Sequence, residues 1–141
     1  MRHSATNTAV VLAAALLASC TGPGSALRSD ASRAYPSEIA NAGTLPIQVI
    51  RRVTHIEMTN TTARAFGPST IWVNGRYSHP IEGFGIGETI SLDLREFYDE
   101  FGERFRAGGF FATRDPDALV LCQLENEGSM YGLIVVGNLL E

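Results

Sequence analysis

The chain has 141 residues, with 15 acidic and 11 basic side chains, a net charge of -4 and 45% apolar residues. That size supports one domain with a real core and not two. The acidic balance leaves no basic stripe to displace counterions from phosphates, which argues against a nucleic-acid partner, and the absence of lysine rules out lysine-dependent chemistry.

Arg2 is followed by an apolar run from Ala9 to Ala18 that is too short to cross a bilayer, and then by Leu17-Ala18-Ser19-Cys20. This arrangement resembles the lipobox of bacterial lipoproteins. The resemblance implies that residues 1–19 are a signal peptide removed before Cys20, that Cys20 is lipidated, and that the chain is anchored to a membrane by acyl groups. Thr21 stands where Asp is the familiar inner-membrane retention signal, so the expected address is the cell envelope, on the outer membrane facing the periplasm. With Cys20 assigned to lipid, Cys122 has no intramolecular partner and no disulfide framework exists.

From Cys20 to Pro46 the composition is rich in Ser, Ala, Gly and Pro, which reads as a flexible tether with an r.m.s. reach of roughly 25 to 30 Å. The domain proper is expected over residues 47–141, as short strands separated by turn chemistry. Ile47 to Thr59 opens it, with Ile56 and Met58 alternating against His55, Glu57 and Thr59. Asn74-Gly75 then predicts a two-residue hairpin turn. That register pairs Val73 with Arg76 and Trp72 with Tyr77, placing the two large rings on one face.

Gly83-Phe84-Gly85-Ile86-Gly87 precedes a strand and does not open a helix, so it reads as a wide turn and not a phosphate loop. Ile90, Leu92 and Leu94 alternate along the strand that follows. The spacing of Leu94, Phe97, Tyr98 and Phe101, with Asp93 and Glu96 at capping-box separation and Gly102 beyond, predicts a short helix over 94–101. Asp115-Pro116-Asp117 turns the chain into the apolar strand Ala118 to Leu124, which buries Cys122, and Glu125-Asn126-Glu127-Gly128 returns it into Ser129 to Val136. Both last strands lack clean alternation and are expected at the centre.

The expected fold is therefore mainly β, a single antiparallel sandwich with one short helix. The order of elements resembles small immunoglobulin-like, FxLYD-like sandwiches of bacterial lipoproteins. The resemblance rests on the Asn60 turn, the Trp72-Val73-Asn74-Gly75-Arg76-Tyr77 hairpin, Gly87-Glu88, and the blocks Asp99 to Gly102 and Phe105 to Phe111. It brings no assigned activity with it.

Candidate chemistry is sparse. Asp93, Glu96, Asp99, Glu100 and Glu103 form the densest acidic cluster, yet Arg95, Arg104 and Arg106 stand nearby to neutralise it. His55 and His79 would be half of a zinc site without evident further ligands. No Gly-x-Ser-x-Gly turn offers a nucleophile. Phe84, Phe110 and Phe111 lie in glycine-rich loops with Arg106 beside them, and are the best candidates for a contact surface, although apolar rings usually find the core and the favoured reading is that they fold back to plug the open ends of the fold. The functional expectation is a lipid-anchored, non-enzymatic interaction or envelope-assembly module with no cofactor, no metal and an envelope protein partner. The alternative is a lipoprotein that binds a small ligand or a divalent metal.

Overall fold

A computed structural model describes residues 32–139. Cys20 and the whole of the signal sequence lie outside the described residues. The fold is mainly β: seven strands form one curled mixed sheet, in the order β4-β3-β6-β7-β1-β2-β5. The strands are β1 (Asn41–Arg52), β2 (His55–Thr59), β3 (Ser69–Val73), β4 (Tyr77–Ile81), β5 (Thr89–Asp93), β6 (Cys122–Asn126) and β7 (Ser129–Leu139). Where two antiparallel layers were expected, the strands share one sheet, and its two longest members, β1 and β7, run parallel. Among the described residues no helix is long and apolar enough to cross a membrane.

Curling brings the chain that leaves one edge onto the other. Beyond β5 a single 3-10 turn, Leu94–Glu96, is capped by Asp93, whose carboxylate accepts from the Arg95 N–H. Two residues later Tyr98 exchanges both backbone hydrogen bonds with Ser78 on the edge strand β4. This is why the expected helix over 94–101 does not form. Phe97 is extended, because Tyr98 satisfies its backbone against β4 instead of along a helix. Leu94 and Phe97 still reach the core that their periodicity foretold, whereas Phe101 points to solvent.

The opening stretch Ile47 to Thr59 is two strands, reversed at Val53, a β-branched residue at φ 46°. β1 also begins at Asn41, so the paired sheet extends into residues read as tether. Ahead of it, Tyr35 packs edge-on against Trp72 at 5.3 Å. Alternation along β1 sends Ile47, Val49 and Arg51 inward together. The core they enter includes Ile56, Ile71, Val73, Phe105 and Leu124.

The Asn74-Gly75 turn has both residues at positive φ, as expected. Arg76 is an extra residue in the ladder, so Val73 faces Tyr77 and Trp72 faces Ser78. That one-residue offset separates the rings, since side chains alternate between the faces. Tyr77 stacks in the core on Phe105, while Trp72 lies on the opposite face under Tyr35 and Arg33, its Nε1–H donating to Glu125 at 2.7 Å. The last two strands are central, as expected, but β6 begins at Cys122 and not at Ala118, because the Asn74 side chain takes up the Ala118 carbonyl and the N–H groups of Val120 and Leu121. Cys122 is fully buried in β6, where desolvation pushes its thiol up to about 12.

Candidate functional site: an aromatic turn on a pinned neck

The segment from Phe97 to Leu119 crosses one end of the sheet, and its conformation is built by two aspartates and one buried arginine. Asp99 is only 1% exposed and nucleates the first loop. Its Oδ1 accepts from the N–H groups of Phe101 and Glu103, and its Oδ2 accepts from Arg76 at 2.7 and 3.0 Å. Burial pushes the Asp99 carboxyl up, but the Arg76 guanidinium and the two N–H donors outweigh it and hold it below the ordinary carboxylate range. Three of the five clustered acids serve loop and cap chemistry, Asp93 on Arg95, and Asp99 and Glu103 on Arg76; of the arginines expected to neutralise the cluster, Arg106 pairs with Asp117 instead and Arg104 bonds Tyr98.

Asp117 closes the second loop. Its carboxylate accepts from the Arg106 backbone N–H at 3.0 Å and from the Arg106 guanidinium, while its own N–H donates to the Arg106 carbonyl at 2.8 Å. Burial raises the Asp117 carboxyl; Arg106 more than offsets this and holds it low. Arg51 reaches the same neck from beneath. It is 0% exposed, and it donates to the carbonyls of Val53, Ala107 and Asp117. Its guanidinium lies over the Phe105 ring, 5.6 Å from the centroid. Desolvation lowers its pKa and the nearby Asp117 opposes that shift. An inward arginine on a core strand would be costly alone, and here it carries the carbonyls of three segments. The β1–β2 turn and both sides of the neck are thus fastened to one side chain.

Above the neck, Gly108 and Gly109 take φ of 85° and 117°, and Pro116 and Thr54 crowd the space a side chain would need. The Ala112 N–H then donates to the Gly109 carbonyl at 3.0 Å, so Phe110 and Phe111 occupy the two corners of a tight turn. They are 95% and 90% exposed, with rings edge-on at 5.0 Å. Of the four residues expected to form a contact surface, Phe110 and Phe111 stand in solvent and Arg106 stands at the neck. Phe84 does not join them, being 1% exposed. Its backbone pairs with Phe66 in both directions, and Asn60 Nδ2 holds its carbonyl at 3.0 Å.

Two clefts flank the turn. The larger, about 610 Å³, is lined by Val53, Gly108, Gly109, Phe110 and Pro116. The smaller, about 270 Å³, gathers Arg95, Arg104, Arg106 and Arg114. Arg104 touches only Tyr98, through its hydroxyl at 3.1 Å and its ring, and neither Arg104 nor Arg114 has a carboxylate partner among the described residues. Sequence reading missed this convergence, because the four arginines are spread over twenty positions and only the fold assembles them.

The remaining candidates lie apart. His55 on β2 and His79 on β4 are separated in the sheet by four strands. His79 stacks on Phe97. His55 meets the Thr54 hydroxyl at 2.9 Å and lies 4.0 Å from Asp93, whose oxygens are already held by Arg95. The His55–Asp93 distance is beyond hydrogen-bond range, so the carboxylate does not orient the imidazole toward the Thr54 hydroxyl as a nucleophile and base would need. Among the described residues no group of three or more His, Cys, Asp or Glu side chains is placed to hold a metal ion. Set against protein families, curated proteins and solved structures, the chain matches none of them.

Proposed function

We propose that this protein is an envelope lipoprotein, attached through acyl groups on Cys20, that works as a non-enzymatic interaction module facing the periplasm from the outer membrane. The observation that carries the reading is the Phe110-Phe111 pair, held in solvent on a turn whose neck is fixed by Arg51 and the Arg106–Asp117 pair. Exposed adjacent rings are a liability unless something covers them. A rigid neck reduces the ordering entropy lost on binding, so such a turn is suited to recognition. The lipobox-like Leu17-Ala18-Ser19-Cys20 supports the membrane address.

Two measurements test this. Mass spectrometry of the N-terminal peptide reads the acyl modification of Cys20, and Cys20→Ser should release the chain from the membrane fraction. A photoreactive phenylalanine analogue at position 110 should crosslink in intact cells, and one at Glu127, in the turn at the opposite end of the sheet, should not. An unmodified Cys20 would refute the anchor, and equal labelling from both positions would refute the contact surface.

A further inference from the structure

We infer that the Phe110-Phe111 turn and the adjoining arginine cleft form a second membrane attachment, docking on the anionic headgroups of the bilayer that holds the Cys20 lipid; this rests on the anchored reading above. Three independent observations meet at one end of the sheet. The first is apolar: two solvent-exposed rings at the corners of a turn, with nothing among the described residues covering them. Exposed phenylalanine rings gain by burial at the boundary between headgroups and acyl chains, where apolar area and attraction to anionic lipids add.

The second is charge. Arg95, Arg104, Arg106 and Arg114 line one cleft beside the turn in a chain whose net charge is -4. Arg95 and Arg106 share their charge with Asp93 and Asp117, and Arg104 and Arg114 have no such partner. Two acids without an ion pair among the described residues lie beside these arginines in sequence, Asp115 next to Arg114 and Glu96 next to Arg95; neither lines the arginine cleft. Guanidinium groups match phosphate oxygens in forked geometry. A basic patch on an acidic body also sets orientation, since the rest of the surface is repelled from an anionic layer.

The third is where the chain arrives. Ser32 donates its N–H to the Asp99 carbonyl at 2.8 Å, in the loop that leads directly to Phe105 and the neck. Ser32 thus meets the loop beside the neck, and Arg33 reaches on to Glu125 of β6. Fully extended, the twelve steps between Cys20 and Ser32 span at most about 40 Å. Tethering keeps the turn at high effective concentration over the membrane, so even a weak contact in solution is populated on the anchor.

The processed chain, residues 20–141 with Cys20→Ser, isolates the turn from the lipid. It should sediment with vesicles of phosphatidylcholine mixed with phosphatidylglycerol, and far less with phosphatidylcholine alone. Added salt should weaken the binding. Arg104→Gln with Arg114→Gln should lower the partition roughly 25-fold, at about fivefold per arginine. Phe110→Ser with Phe111→Ser should lower it at least about tenfold. Phe110→Trp should shift its emission to the blue on mixed vesicles, against a Trp72 background that is already buried. Unchanged melting temperatures would show that the variants are folded. Equal partition into both vesicle types, partition unaffected by either double substitution, or no sedimentation at all would overturn the inference. Crosslinking from position 110 to a protein, without vesicle binding, would overturn it while leaving the interaction module intact; an unmodified Cys20 would instead remove the anchored reading.

Discussion

Two glycine-rich loops carry phenylalanine in this chain, and they end in opposite places. In the Gly83 to Gly87 loop, Phe84 is paired through its backbone with Phe66 and gripped by Asn60, so the ring is driven into the core. In the Gly108 to Ala112 loop, the hydrogen bonds fasten the neck and stop there, and the rings beyond it stand in solvent. Local composition is nearly the same. What separates the two is whether the backbone next to the ring is tied to the sheet or the tie lies several residues away. Apolar side chains find the core when the main chain beside them can be satisfied there.

Substitutions can break that contrast at either loop. The largest effect is expected for Phe84→Ala, at about 3 to 5 kcal/mol of stability lost in urea unfolding, the usual range for emptying a packed aromatic site. A loss under about 1 kcal/mol would mean that the ring packs loosely, against its burial. Arg51→Met should follow, at about 3 kcal/mol, because one buried and two partly buried carbonyls lose their donor together. Hydrogen exchange should then show the Asp117 amide opening while the Phe84 amide stays protected.

Acid should distinguish the loops more gently. The carboxyls of Asp99 and Asp117 are both held below their ordinary values, so their stabilising contribution is complete above about pH 4 and disappears as pH falls through the lowered folded values. The Arg106 and Asp117 amides should therefore lose protection on acidification before those of Phe66 and Phe84. Asp117→Asn should be less stable than the parent at pH 7 and converge with it in acid; a constant difference across that range would contradict the assignment. The smallest effect is expected for Phe110→Ser with Phe111→Ser, within about 0.5 kcal/mol of the parent, because neither ring is buried.

Much of the mainly β character was legible. Alternation in His55 to Thr59, the turn residues Asn74-Gly75 and Glu127-Gly128, and the apolar run around Cys122 all mark strands or reversals that the structure contains. Val53 was not legible as a turn, since a β-branched residue at positive φ gives no signal of the kind glycine or asparagine gives. The helix expected from Leu94 to Phe101 had the right period, and it was overridden by pairing between Tyr98 and Ser78 that only the curled sheet makes possible. Arg51 reads as a surface charge until β1 is placed between β7 and β2. Phe110 and Phe111 were legible as candidates because they sit among glycines; their difference from Phe84 required the hydrogen bonds of Asn60 and Phe66.

The parallel pairing of β1 with β7 joins residues about ninety positions apart, such as Asn41 with Met130. With β7 missing, the sheet falls into two halves, β4-β3-β6 and β1-β2-β5, which no other strand bridges. A chain emerging from its N-terminus thus holds two incomplete half-sheets until β7 is available. Pairing across so long a separation is slow to form. The seventh strand acts as a keystone, delaying completion of the sheet until residues 129–139 can pair with β1 and β6 together.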